Sequence, residues 1–306
     1  MYYMKCFLKC LGLLLAVVST LAPALAAASA PASTPGVSGP ENIFMSPAWD
    51  DGRAEFSVYS GVTNRYGQDR PTTAHFVIVK EDLLKDSLVK SEAGPIPGRT
   101  VTVIKFNFIA DFPTGTYTYH QMATVMFDRR DTDVLKETVS HTEACGITFV
   151  RVGPKHGALV HEAHSYWDGE ADREVTVTWP AGPHTFADGL PVWLRQWVHD
   201  GAPTELRVTL MPGQVDGRSP IANTHPIAAH IVRSEGGRLR VPAGTFSTRR
   251  FRVSTPAGTD TLWFDAHAPY VLVRLATAKG RRLELKKTLR LDYWKHNMNG
   301  DEALVR

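Results

Sequence analysis

The 306-residue sequence predicts an all-β fold: an antiparallel β-barrel or open half-barrel with one short amphipathic helix. Three observations predict it. Across 238–287, apolar and polar residues alternate between turn signals at Pro256-Ala257-Gly258, 265–269 and Ala278-Lys279-Gly280, the pattern of successive antiparallel strands. Upstream, the same alternation recurs at a density that suits a sandwich or barrel better than βαβ units. One stretch alone, 188–198, carries helical periodicity. One curved sheet and two abutting β units with a boundary near residue 180 both satisfy this pattern.

Taken in order, residues 1–30 have the make-up of a secretory signal peptide. Lys5 and Lys9 precede an apolar run over 11–22, and Ala24-Leu25-Ala26 offers a cleavage signal. The expected location is therefore periplasmic or secreted, and Lys9 before Cys10 argues against a lipid anchor. Cys6 and Cys10 leave with the signal, so Cys145 is the one cysteine of the mature chain and no internal disulfide is expected. Residues 31–47, which begin with a Pro/Ser/Gly-rich run, are predicted to be a disordered linker. The β domain is placed at 48–297 and a frayed tail at 298–306. No later stretch approaches the roughly 18 apolar residues a membrane helix needs, so no transmembrane segment is expected.

Strands are predicted at 54–60, 73–80, 100–109, 117–127, 134–141, 147–152, 158–165 and 174–179, then at 204–211 and 227–233, and finally at 288–294 after the strands of 238–287. In 54–60, Ala54, Phe56 and Val58 form the apolar side of the alternation. Between them, Leu190, Trp193, Leu194, Trp197 and Val198 recur on one helical face, with Asp188 as N-cap and Pro191 in the first turn. A lone helix with two tryptophans is expected to plug or cover the sheet, or to act as a lid over an apolar cavity.

The net charge of +3 is too small to argue for nucleic acid, and none is expected as a partner. Charge is nonetheless uneven: 231–306 holds 15 Lys and Arg against seven Asp and Glu. Interleaving such as Arg250-Phe251-Arg252-Val253 reads as a solvated sheet face, with an anionic ligand or membrane surface as the alternative.

His156, His161, Glu162 and His164 form the densest set of potential metal ligands, but their spacing misses the H-E-x-x-H pattern. On a strand, Glu162 and His164 share one face while His161 points to the other, so ordinary strand histidines and no metal are expected. Cys145 follows His141 and Glu143. Positions 141 and 145 of one strand lie roughly 13 Å apart, too far for a thiol–imidazole hydrogen bond. A buried, inert cysteine is expected, with a distant histidine such as His120 as the alternative partner. The mature region contains no G-x-S-x-G elbow, phosphate-binding loop, dinucleotide fingerprint or C-x-x-C pair, and no cofactor is expected.

Val241-Pro242-Ala243-Gly244-Thr245-Phe246, Trp263-Phe264-Asp265 and Pro269-Tyr270-Val271-Leu272-Val273 resemble a bacterial family of exported proteins that carry a domain of unknown function. Tyr59 and Arg65-Tyr66-Gly67 look similar to the start of such a domain. The resemblance implies a lipocalin-like or lipoprotein-carrier-like β structure and brings no catalytic residues. Together these readings point to non-enzymatic binding of a lipid or amphipathic small molecule of the cell envelope. Leu190, Trp193 and Trp197 are expected to cover it, and Arg250, Arg252 and Trp263 to contact it. The alternatives are a structural module that docks an envelope protein, and a hydrolase using Cys145 or the His161/His164 region.

Overall fold

Alternation of side chains with period two gives each strand two faces, and here one set of faces turns inward around a single apolar cluster. The computed structural model describes residues 39–215 and 223–306. The expected signal, residues 1–30, lies outside the described residues, as does 31–38 of the expected linker.

The first meander comprises β1 (Ala54–Arg65), β2 (Gln68–Leu84), β3 (Thr100–Pro113), β4 (Thr118–Asp128), β5 (Val134–Glu143), β6 (Gly146–Lys155), β7 (Ala158–His164) and β8 (Asp172–Val177). After the crossing come β9 (His184–Phe186) and β10 (Glu205–Met211), then β11 (Ile227–Val241), β12 (Gly244–Thr255), β13 (Gly258–Asp265), β14 (Leu272–Ala276) and β15 (Arg282–Leu291). All fifteen described strands belong to one sheet, in the order β8-β7-β6-β5-β4-β3-β2-β1-β15-β14-β13-β12-β11-β10-β9. Pairing is antiparallel except between β9 and β10, and β8 and β9 form two edges that do not pair with each other. The fold is therefore an open barrel-like sheet, not two separate β units. Residue 180, the expected sub-boundary, falls where the chain leaves one edge of the sheet for the other.

Two-residue turns set several registers. Arg65 pairs with Gln68 across Tyr66-Gly67, both at positive φ (56° and 72°), the backbone that matches strand twist in a tight hairpin. β1 and β15 zip the two meanders together, Ala54 opposite Leu291 and Val62 opposite Arg282. At Gly61 a Cβ would lie 1.9 Å from the Arg282 carbonyl oxygen, so only glycine lets these two strands approach as they do.

Inward residues of both meanders share one core: Phe76, Phe106 and Phe127 from the first, Phe251, Phe264 and Leu285 from the second. A sheet that places these side chains in one cluster must curl around it. The outer face is covered in places, for Ala54, Val77 and Val79 pack under Phe56 and Tyr293. This corrects the reading of the first strand. Its alternating apolar residues Ala54 and Phe56 face the outer cluster, while Glu55 and Tyr59 are buried, Tyr59 within the core.

The predicted helix is a single α-turn, α1 (Leu190–Trp193), between 3-10 turns at Ala187–Gly189 and Leu194–Trp197. Gly189, not Asp188, occupies the N-cap position, and Asp188 caps a neighbouring loop instead. Three further boundaries differ from the sequence reading. Ile43 and Phe44, assigned to the linker, are buried because a short 3-10 turn folds them onto the core. The strands predicted at 227–233 and in 238–287 begin as one long β11, and 288–294 continues β15 through Leu291. The tail ends in an exposed 3-10 turn, Asp301–Val305.

Candidate functional site

The curled sheet leaves a cavity of about 160 Å³ on its inner face, roughly ten times the space one water requires. Its apolar wall is built by parity. Phe76 and Phe108 come from β2 and β3, Val253 and Leu262 from β12 and β13, and Leu190 from α1. The Phe76 and Phe108 rings meet edge to face, 5.2 Å between centroids.

Four charged side chains also line it: Asp188, Asp260, Lys279 and Arg281. Arg281 shares the parity of the buried Leu283 and Leu285 and is itself only 2% exposed, whereas Arg282 turns outward to Asp69. Its Nε donates to Thr63 Oγ1 (3.2 Å) and its Nη2 to Gln121 Oε1 (2.5 Å), and the guanidinium lies 4.9 Å from the Phe108 ring centre. Gln121 Nε2 in turn donates to the Val215 carbonyl (3.0 Å). Asp188 Oδ2 accepts from the Gln214 and Val215 amides (2.6 and 3.0 Å) and thereby pins this loop to the cavity wall. Asp260 accepts from the Ala278 amide at the opposite rim (2.8 Å).

Behind the pinned loop lies a second buried polar group. Glu137 of β5 is 1% exposed, with the Asp188 side chain as its polar neighbour. Burial, with the neighbouring Asp188 carboxylate adding to it, pushes Glu137 well above the ordinary value of 4.5, so it is held as the neutral acid. His161 Nε2 meets Gln214 Oε1 at 3.2 Å, and burial lowers its pKa, which favours neutral imidazole. Above 4.5, the folded chain holds a proton on Glu137 that the unfolded chain releases, so stability falls as pH rises through this window. Glu137→Gln is expected to flatten that slope and raise the melting temperature at neutral and higher pH. Thermal melts at about pH 5 and about pH 8 check it; parallel pH slopes in both proteins would reject the assignment.

Of the residues the sequence nominated, Leu190 lines the cavity. Trp193 (buried) and Trp197 (half-buried) pack with each other in the core, ring centroids 6.0 Å apart, and belong to the support of α1. Arg250, Arg252 and Trp263 carry the parity opposite to Phe251, Val253 and Leu262, and so stand on the outer face. There Arg250 pairs across the ladder with Trp263 and donates to Ser234, and Arg252 is exposed. The structure does not bring these three to the Leu190 side.

His161 points inward, while Glu162 on the other face binds Arg151 (2.6 Å) and Lys155 (2.7 Å) and His164 is exposed beside Asp172. His120 is taken by Asp111 at 2.7 Å. Cys145 is exposed, not buried, because it sits in the two-residue connection between β5 and β6. Among the described residues there is no group of three or more His, Cys, Asp or Glu placed to hold a metal ion. Nor, among them, is any helix long and apolar enough to cross a membrane.

What this arrangement offers chemically is an apolar wall for burying a short chain and a polar rim for its head. Sequence reasoning missed Arg281, Asp188 and Phe108 as cavity residues. For Arg281 a signal existed in its i, i+2, i+4 spacing with Leu283 and Leu285.

No family model matches the chain, and no curated protein matches it. Among solved structures, the chain is similar to a β-barrel-like protein of the domain of unknown function DUF1849 from Brucella abortus, at 10% identity and a TM-score of 0.46, over 78% of this chain and 98% of that one.

Proposed function

We propose that this protein is an exported, non-enzymatic binding protein for a small amphipathic molecule of the cell envelope. The observation that carries this reading is the cavity itself: an apolar wall of Phe76, Phe108, Val253 and Leu262 beside a buried guanidinium. The apolar part of the ligand lies against this wall and its polar end meets the charged side chains of Asp260, Lys279 and the buried Arg281. A purely structural module calls for an interior filled by side chains, and the cavity weighs against it. Exported location rests on the signal-like residues 1–30, and the β architecture agrees with the resemblance carried by 241–273.

Calorimetric titration with decanol and with decanoate tests the proposal. One equivalent of at least one probe is expected to bind, and Thr255→Phe, which places a ring at the half-buried rim of the cavity, is expected to weaken it about tenfold. Native mass spectrometry of the protein from the periplasm is expected to show a small-molecule adduct that lipid extraction removes. Absence of binding by both probes, or binding that Thr255→Phe leaves unchanged, would remove the basis for this function.

A further inference from the structure

At the hairpin end of the first meander, the inward faces of β4, β5 and β6 change from apolar to polar. Along β4, Ala123 gives way to Gln121 and Tyr119; along β5, Val139 gives way to His141 and Glu143; along β6, Val150 gives way to Thr148 and Gly146. With Arg65 and Trp167 these residues line a narrow slot, separate from the cavity, with room for about 10 Å³. That is the space of a single hydroxyl group or water, far too little for an acyl chain.

The floor of the slot is cross-braced by polar and ring contacts. Arg65 Nη2 donates to Tyr119 Oη (3.0 Å), Tyr66 and Tyr119 share a hydroxyl–hydroxyl bond (2.7 Å), and the guanidinium lies over both rings at 5.0 and 4.8 Å. Phe112 stacks on Tyr119 from behind, 5.1 Å between centroids. Within this frame Arg65 Nε, a donor, and Glu143 Oε2, an acceptor, are shielded from water with no hydrogen-bond partner, while the Glu143 carboxylate also meets the Tyr119 hydroxyl. Their charges oppose, so together they favour a neutral group. A hydroxyl has the chemistry to serve both, accepting from Arg65 and donating to Glu143.

The rim is aromatic. Tyr66 is 53% exposed, Tyr166 60% and Trp167 36%, a clustering around one opening that scattered surface residues do not produce. Tyr166 and Trp167 meet edge to face at 5.4 Å, and Tyr166 lies directly over Gly146, where a Cβ would come within 2.4 Å of its ring. Ring faces beside a donor–acceptor pair suit a ligand with apolar C–H faces and hydroxyl edges. We propose that this slot is a second binding site, for one unit of a neutral saccharide, which inserts a hydroxyl between Arg65 and Glu143 and lays its ring against Trp167 or Tyr66. The site is joined to the cavity by Gln121, which lines the slot and accepts from Arg281.

The test is titration of the mature protein with cellotriose, maltotriose and chitotriose, and with triglycine as a peptide control, followed by backbone amide shifts and calorimetry. At least one trisaccharide is expected to bind with a Kd of about 1 mM or tighter, moving amides of 65–67, 143–148 and 165–168. Trp167→Ala and Glu143→Gln are each expected to weaken it about tenfold while leaving decanol uptake and the melting temperature unchanged. Trp167 lies in a surface loop, so its variant reports on the site even if Glu143→Gln perturbs folding. Shifts with none of the trisaccharides would make the slot a water site and overturn the proposal. Binding of triglycine alone, or saccharide binding indifferent to both substitutions, would overturn it equally.

Discussion

Arg195→Met is expected to destabilise the fold by about 3–5 kcal/mol, the usual cost of removing one partner from a buried ion pair. Arg195 and Glu55 have side chains 1% and 4% exposed and meet through two bonds, 2.9 and 2.7 Å long. Arg195 also donates to the carbonyls of Pro191 (3.2 Å) and Pro269 (3.3 Å), tying the 3-10 turn that follows α1 both to β1 and to the turn after β13. Without the guanidinium, the Glu55 carboxylate is left inside with its charge uncompensated. The double variant Glu55→Met/Arg195→Met removes both charges and is expected to recover most of the loss, because the pair itself is worth little against well-packed apolar side chains. Urea unfolding followed by tryptophan fluorescence gives both numbers. A single variant no less stable than the double would show that the charge is not stranded.

Phe76→Ala is expected to cost about 3–5 kcal/mol by a different route, the loss of apolar burial plus the void left behind. Phe76 is 2% exposed, and its ring meets those of Tyr59, Phe106 and Phe108 at 4.5, 5.3 and 5.2 Å. It also forms part of the cavity wall, so its removal enlarges the space a ligand occupies. Lower stability should therefore accompany a shift of preference from decanol toward longer alcohols. Thermal unfolding and the same calorimetric series measure the two effects. A loss under about 1 kcal/mol would mean that neighbouring rings collapse into the gap and that Phe76 does not hold the wall open.

Much of the strand content was legible because half-buried strands write a period-two pattern, and the turns at Pro256-Ala257-Gly258 and Ala278-Lys279-Gly280 carry the glycine and proline that turns favour. β9 escaped because three residues, His184–Phe186, are too short to show any period. The helix was overread for the opposite reason. Leu190, Trp193, Leu194 and Trp197 satisfy helical spacing, yet only one turn is α-helical and the rest tightens to 3-10. Site residues were least legible where they are polar. Glu55, Glu137, Gln121 and Arg281 look like solvent-facing positions in a strand, and the partner of Arg281 on β1, Thr63, lies 218 positions away. Arg250, Arg252 and Trp263 were nominated on composition, but alternation with Phe251 and Val253 turns them away from the cavity. Period fixes which residues share a face, while the curl of the sheet decides which face is inside.

The pairing of β1 with β15 has a consequence for how the chain reaches this state. The two strands at the centre of the sheet are the first and last in sequence, with Ala54 opposite Leu291. Neither meander can cover its inner edge until β15 is available, and that contact demands closing a loop of more than two hundred residues. Such long-range closure is entropically costly and slow, and each half meanwhile presents an unsatisfied row of backbone amides and carbonyls. A chain built this way gains from staying unpaired until β15 has emerged, since a stalled N-terminal half is a template for intermolecular strand pairing. How long that template stays exposed is set by the time between emergence of β1 and arrival of β15, not by the stability of the finished sheet.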